Sequence, residues 1–224
     1  MRHQQATSGR DRFPRLRILL PARGRSTRIP HKNLQEITPG KSLLAWSIEL
    51  YQRLLPGVPI IVATEDHPTA KLAITCGAQL HGRCLEDIQD TRQGDGIFSD
   101  LLDCYPGDTI LLVQCTSPFT YRSELEKALA NPLPYVYSAY QGQLHTCGDG
   151  NTKSQNLPTT TLVRGNFAIA RQPFAEVHRD GIWRHPAFAS PVSWESALDI
   201  NTPADLESAR HLAQALTLET LLNH

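Results

Sequence analysis

The sequence predicts an α/β fold, a mostly parallel β-sheet with helices on both faces. Short apolar runs alternate with segments of helical periodicity along most of the chain. Those runs are nearly continuous, without the apolar–polar alternation of a strand that has one wet face, as expected of strands covered on both sides. With 224 residues, 40% hydrophobic and 20% charged, the chain is long enough to bury one large core.

The elements follow in order. Residues 1–15 are polar, Gln/Ser/Arg-rich and aperiodic, and read as a disordered extension ahead of a single domain over 16–224. Arg17–Pro21 is the first buried strand, and Ala22–Asn33 is a loop. Ser42–Leu55 has helical spacing, with Leu44, Ile48, Tyr51 and Leu55 on one face and a stop at Pro56-Gly57. Val58–Ala63 is a strand, Thr69–Cys76 a helix ending at Gly77, and Ala78–His81 a brief strand. Asp95–Cys104 reads as a helix, Asp108–Val113 as a strand, and Ser123–Ala130 as a helix with Ser123 as N-cap. Tyr135–Tyr140 and Leu162–Ala170 are strands. Between them Gln141–Pro158 is rich in Gly, Asn, Thr and Ser, so 141–160 reads as a long loop or a small excursion. Pro203–Leu218 closes the chain as a helix, with Thr202 as N-cap, Pro203 in the first turn and Asp205 near its positive end.

Composition excludes several classes. Basic and acidic residues number 22 each, which argues against a general nucleic-acid binder. The apolar runs are too short to span a membrane, and the N-terminal stretch lacks the apolar centre of a secretory signal. Five cysteines form an odd set without a C-x-x-C pair, so neither a disulfide framework nor a structural zinc is expected. This is the profile of a cytoplasmic protein with reduced thiols. The nine histidines show no zinc-hydrolase spacing.

The chemistry concentrates in the first loop. Arg23, Arg25, Arg28 and Lys32 lie within ten residues, beside Gly24. Such a cluster after a strand's carboxyl end suits an anion, where ligands of α/β sheets bind. The alternative is a solvated basic surface loop. The loop is neither a G-x-x-x-x-G-K-[ST] nor a G-x-G-x-x-G motif.

Leu20-Pro-Ala-Arg-Gly-Arg-Ser-Thr-Arg-Ile-Pro-His-Lys-Asn33 resembles the nucleotide-binding loop of the CMP-sugar synthetases, the acylneuraminate and Kdo cytidylyltransferases. The acylneuraminate pattern is P-A-R-G-G-S-K-x-I-P-x-K-N. Here Arg25 replaces the second glycine, and Ser26-Thr27-Arg28 is similar to the Kdo form. Further segments follow in the family's order. Thr64-Glu65-Asp66 resembles the S-T-D segment, with Ala63 for Ser and Glu65 for Asp, and Arg83 and Asp90 fall where the family has R-P-x-x-L-A-x-D. Leu112–Pro118 resembles L-L-Q-P-T-S-P-L-R, with Cys115 for proline and Thr120 where the arginine belongs, the nearest arginine being Arg122. Lys153–Pro158 resembles R-R-Q-D-L-P, Asn166–Ala170 resembles N-G-A-I-Y, and Ala197–Leu206 resembles S-I-D-I-D-T-P-E-D-L.

The resemblance implies a Rossmann-like nucleotidyltransferase sheet and transfer of a cytidylyl group from CTP to an acidic α-keto sugar, releasing pyrophosphate. Lys32 and Arg23 are the implied catalytic residues, acting on the phosphates. Ala22, Gly24, Ser26, Arg28, Asn33, Arg83, Gln114, Thr116 and Ser117 would complete the nucleotide site. For Arg28 the alternative is a surface salt bridge. Asn33 can equally cap a turn, and Gln114–Ser117 can be a buried polar strand end satisfied internally. Gln155, Arg164 and Asn166 fall at the implied sugar site, with Lys153 competing with Arg164 for the sugar carboxylate. His31 reads as solvent-facing and Cys115 as packing.

The family's D-x-D, which holds Mg²⁺, is here Asp199 and Asn201. Asn201 can offer a carbonyl oxygen but no charge, so weaker Mg²⁺ binding is expected. The alternative makes Asn201-Thr202 only a helix cap. The resemblance further implies a homodimer, with Gln141–Pro158 as the segment that would approach the partner's sugar site. Two other readings stand beside this one: a nucleotidyltransferase for another sugar or sugar phosphate, and a non-catalytic nucleotide-sugar-binding homologue.

Overall fold

The computed structural model describes residues 13–82, 104–143, 159–171 and 188–224. Its elements are β1 (Leu16–Pro21), a 3₁₀ turn (Lys32–Leu34), β2 (Glu36–Thr38), β3 (Lys41–Ser42), α1 (Leu43–Leu54), β4 (Ile60–Thr64), α2 (His67–Thr75), β5 (Gln79–Gly82), β6 (Thr109–Val113), α3 (Arg122–Ala130), β7 (Tyr135–Gln143), β8 (Thr159–Ala170), β9 (Phe188–Val192), α4 (Pro203–Ala215) and α5 (Leu218–Asn223).

Seven strands form one sheet in the order β5-β4-β1-β6-β8-β7-β9. β1 lies parallel to β4, with Leu20 opposite Val62, and parallel to β6, with Ile18 opposite Leu111. β8 runs antiparallel to both β6 and β7, and β9 rejoins β7 in parallel. The fold is therefore α/β with a mostly parallel sheet. The chain steps from β1 outward to β4 and β5, then returns to place β6 on the other side of β1. The strand order reverses between β1 and β6. Sheets of this type bind ligands in the crevice beyond the carboxyl ends of the strands at such a point.

Successive strand residues face opposite sides. Ile18, Leu20, Leu111, Val113, Phe167 and Ile169 join one large core with residues of α1 to α5. Leu19, Ile61, Ala63, Ile110, Leu112, Ala168 and Ala170 form a second core on the other face. Both sets are buried, so the continuous apolar strands belong to a sheet covered on both sides. Among the described residues, the helices all pack on the first core.

Several boundaries differ from the sequence reading. β7 and β8 extend past their apolar parts, pairing Gln143 with Thr159, so the 141–160 stretch begins and ends in a ladder. No apolar run in the sequence marks those polar residues. β9 escapes notice because of Pro191, which is tolerated on the edge strand of the sheet. The N-cap of α3 is Tyr121 rather than Ser123. Ser123 lies in the first turn, where its amide donates to the His224 carbonyl at 3.2 Å. The final helix stops at Ala215, and α5 restarts behind Thr217, whose hydroxyl accepts from the Thr220 amide at 3.3 Å. The expectation for residues 1–12 and the body of the Asp95–Cys104 helix lie outside the described residues.

Candidate active site

The first loop leaves β1 without breaking the sheet at once. The Ala22 amide still donates to the Ala63 carbonyl at 2.9 Å. Three tethers then shape the loop. Asn33, buried at its far end, donates Nδ2 to the Arg23 carbonyl at 2.8 Å. The Ser26 hydroxyl accepts from the Ile29 amide at 3.4 Å, and the Gly24 amide donates to Glu65 Oε1 at 2.9 Å. Arg23, Arg25 and Arg28 are exposed, and Lys32 is half-buried. The cations thus stand on a braced loop, with Asn33 clipping its two ends together.

Gly24 is required by a neighbour. A Cβ there would lie 2.4 Å from Asp66 Cβ and 2.7 Å from Asp66 Cγ. Asp66 is itself fixed as the N-cap of α2, accepting from the Thr69 amide at 3.0 Å and the Thr69 hydroxyl at 2.6 Å. The resemblance places Gly24 in the nucleotide site. The contact that demands it is a protein side chain. His31 is exposed, with a left-handed φ of 48° that turns the chain into the 3₁₀ turn presenting Lys32.

The segment after β6 forms the facing wall. Gln114 donates its amide to the Asn166 carbonyl at 3.4 Å, and its side-chain oxygen accepts from Thr116 Oγ1 at 3.3 Å. The Ser117 hydroxyl is buried and has no hydrogen-bond partner among the described residues. Trp46 Nε1 clamps the Pro118 carbonyl at 2.8 Å. Asn166, expected at a sugar, is fully buried. Its Oδ1 accepts from the Thr120 hydroxyl at 2.8 Å and its Nδ2 donates to the Phe119 carbonyl at 3.4 Å. Both ends of the amide are spent, so it braces the wall. Thr120 takes the place of the family's arginine and hydrogen-bonds the buried Tyr51 hydroxyl at 2.9 Å. Arg122 does not substitute for that arginine. Its guanidinium donates to the carbonyls of Leu54, Arg53 and Leu222, tying α1 to α5. Cys115 is buried, and burial pushes its thiol pKa up to about 12, which suits packing.

The third wall is the turn before α4. Ile200 donates its amide to the Thr116 carbonyl at 2.8 Å and accepts from Lys32 Nζ at 2.7 Å, so one residue joins both other walls. Arg28 Nη2 donates to Asn201 Oδ1 at 2.8 Å, and Asn201 Nδ2 donates to Asp199 Oδ2 at 2.6 Å. The Asn201 and Thr202 amides both donate to Asp205 Oδ2, at 2.9 and 2.7 Å. Burial lowers the pKa of Lys32. The Asp199 carboxylate opposes this, while Arg28 and Arg23 add to the lowering. Such a group gains most from an arriving anion. Arg28 thus bonds Asn201 across the chain and forms no salt bridge among the described residues, and Asn201 does more than precede a cap.

The Asp199–Asn201 pair does not fit a protein-held Mg²⁺. Its one anionic group accepts from its own partner, the amide oxygen accepts from a guanidinium, and the Lys32 ammonium lies alongside. Among the described residues, no group of three or more His, Cys, Asp or Glu side chains is placed to hold a metal. Arg164 falls within β8. Arg83, Asp90, Lys153 and Gln155 lie outside the described residues. The Glu65 contact to the loop was missed by sequence reading, since a carboxylate beside a basic loop carries no local motif.

A braced cationic loop, bonded through Ile200 to a wall of amides and hydroxyls, stands at the strand-order reversal, where α/β proteins of this class bind their ligands. Residues 17–160 match the family model described as cytidylyltransferase, and the chain belongs to that family. The match stops before Asp199 and Asn201. The chain is 31% identical over 129 residues to N-acylneuraminate cytidylyltransferase A of Danio rerio, covering 57% of this chain but only 30% of that protein. It therefore spans less than a third of that relative's length. Among solved structures, CMP:2-keto-3-deoxy-manno-octonic acid synthetase complexed with CTP superposes with a TM-score of 0.64 at 16% identity, covering 90% of this chain and 99% of that one. The 4-diphosphocytidyl-2C-methyl-D-erythritol synthase of Anaerococcus prevotii gives 0.61 at 11%, covering 89% and 96%. At these identities the likeness is one of fold. No helix among the described residues is long and apolar enough to cross a membrane.

Proposed function

We propose that the chain transfers the cytidylyl group of CTP to a sialic-acid-like ulosonic acid, giving a CMP-sugar and pyrophosphate. The carrying observation is the convergence of Arg28 and Lys32, from the first loop, on the 199–201 turn, which is itself bonded to the wall after β6. The sugar's anomeric oxygen bonds to the α-phosphorus, the bond from that phosphorus to the bridging oxygen breaks, and the hydroxyl proton passes to solvent. The protein's share is positioning and charge. Lys32 offsets charge at the α-phosphate and Arg23 at the outer phosphates. Gln114, Thr116 and Ser117 offer both donors and acceptors for the cytosine edge or ribose. Arg164, with Gln155, is assigned to the sugar carboxylate. A cytoplasmic homodimer is the working assembly.

The burial of Asn166 favours keeping a second reading, transfer to another sugar or a sugar phosphate, because one expected sugar contact is committed to the protein. Pyrophosphate release decides between them. CTP, ATP, GTP and UTP are each incubated with a panel of ulosonic acids and sugar phosphates. CTP-dependent release with one ulosonic acid supports the first reading. Release only with a sugar phosphate moves the protein to the second. CTP binding without release from any pair makes it a binding homologue.

A further inference from the structure

The Arg28–Asn201–Asp199 chain has a chemical logic of its own. A guanidinium can only donate, and an ionised carboxylate can only accept. The residue between them must accept on one side and donate on the other, and an asparagine amide does both. At 2.8 Å and 2.6 Å both bonds are made, and the amide's orientation follows from its neighbours. An aspartate at 201 could still accept from Arg28. It would, however, set a second carboxylate oxygen against Asp199, and two carboxylates at that separation require a proton or a cation between them. The residue at 201 therefore decides what occupies this corner. Asp205 fixes the Asn201 backbone and Ile200 anchors Lys32 beside it, so the corner is built rigidly.

We propose that this corner is a cation-filled replacement for a divalent-metal site. Arg28, held by Asn201, supplies positive charge there, and the protein without nucleotide holds no Mg²⁺. The contact with Asn201 takes one of the five N–H donors of the exposed guanidinium. Arg28 thereby becomes an anion-binding residue positioned by Asn201. Divalent metal reaches the cleft only on the phosphates of a bound nucleotide, a corollary that rests on the CTP reading.

The test uses the full chain freed of metal and titrated with Mn²⁺ alone, read by electron paramagnetic resonance. The wild type is expected to bind no stoichiometric Mn²⁺. Asn201→Asp is expected to bind one equivalent, at least about tenfold more tightly, the scale on which metal affinity responds to its ligand environment. Its melting temperature should fall without Mn²⁺ and recover with it. One equivalent bound by the wild type and lost in Asp199→Asn overturns the proposal. So does an Asn201→Asp protein that folds and binds none, because residue 201 then does not close the site.

A second variant guards against misfolding. Asn201→Ala adds no charge and removes the anchor of Arg28. CTP affinity in EDTA should then fall about tenfold, as it should in Arg28→Ala, the lower range for a charge-assisted bond. Unchanged affinity in Asn201→Ala overturns the positioning role. If the wild type binds no CTP, the cytidylyl-transfer reading fails, while the Mn²⁺ titration still judges the metal-site replacement on its own.

Discussion

Lys32 donates its ammonium to the Ile200 carbonyl at 2.7 Å, across 168 positions of sequence. The bond holds the catalytic candidate of the first loop against the turn before α4. Burial lowers the pKa of Lys32, and Arg28 and Arg23 push the same way, against Asp199. Lys32→Ala is expected to lower the turnover rate about a hundred- to a thousandfold, the scale for removing one donor to developing charge. The lysine should lose its proton below the ordinary lysine range, so kcat/KM falls as pH rises through that lowered value. Bound phosphate favours the charged form, so the limb lies at higher pH in kcat. Lys32→Arg should abolish the limb at whatever rate it retains, because a guanidinium stays protonated. The pH profiles of the two proteins check this, and identical alkaline limbs would assign the titration elsewhere.

Gly24 and Asp66 form a coupled pair. An added Cβ would meet Asp66 Cβ at 2.4 Å, a branch point that no rotamer change can move aside. Gly24→Ala must therefore displace the loop or pull Asp66 from its cap on α2. The expected cost is about 1–3 kcal/mol, as for overpacking or a lost cap. Asp66→Ala alone forfeits the cap. In the double variant the Cβ–Cβ contact stays, but the Cγ and Oδ1 contacts at 2.7 and 2.9 Å vanish and the cap can be lost only once, so its loss should fall short of the sum. A double-mutant cycle on thermal melts measures the coupling, and strict additivity would break the argument.

The sequence revealed the sheet because each parallel strand is an apolar run buried on both faces, from Ile18–Leu20 to Ile110–Val113. It revealed the cationic loop because Arg23, Arg25, Arg28 and Lys32 are adjacent in the chain. It could not show that Arg28 meets Asn201 across 173 positions, or that Glu65 holds the Gly24 amide, because those contacts depend on strand order. Asn166 misled for a related reason. An asparagine beside an apolar strand has the same letter whether it faces a ligand or bridges Thr120 and Phe119 from inside the core. The polar ends of β7 and β8 hid because their pairing is written in backbone bonds.

Cys115 tests how closed the wall after β6 is. Its thiol is buried, with a pKa pushed up to about 12 by that burial, partly offset by the charge of Lys32. The thiolate is the reactive form, so folded protein at pH 8 should leave Cys115 unalkylated by iodoacetamide while the exposed Cys104 reacts. Labelling in a Cys84→Ser/Cys147→Ser background, read by peptide mass spectrometry, checks this. Cys115→Ala should cost about 1 kcal/mol of stability, the scale of a small core truncation, and keep most of the activity. Rapid labelling of Cys115 in the folded protein would mean that the wall opens.

Asp205 links the last helix to the site. Its Oδ2 accepts from the Asn201 and Thr202 amides, while its own amide donates to the Thr202 hydroxyl at 3.3 Å, completing a capping box. Burial raises its pKa, but those backbone and hydroxyl bonds, with Arg28, outweigh it and hold the carboxyl below the ordinary range. A depressed folded-state pKa stabilises fully above the unfolded value of about 3.9 and ceases to do so as pH falls through the folded value. Asp205→Asn should therefore lower stability at pH 7 by about 1 kcal/mol, the scale of a cap on a helix terminus. That corresponds to about 2–4 °C in Tm for a chain of this size. The gap from the wild type should close below about pH 4, within the carboxyl's titration range. The same change weakens the bond to the Asn201 amide, because a neutral amide oxygen accepts less strongly than a carboxylate, so Arg28 loses part of its anchor and KM for CTP should rise at pH 7. Thermal melts across pH, paired with CTP kinetics at neutral pH, separate the two effects. A Tm deficit that persists undiminished into acid would show that the carboxylate's charge is not what holds the turn.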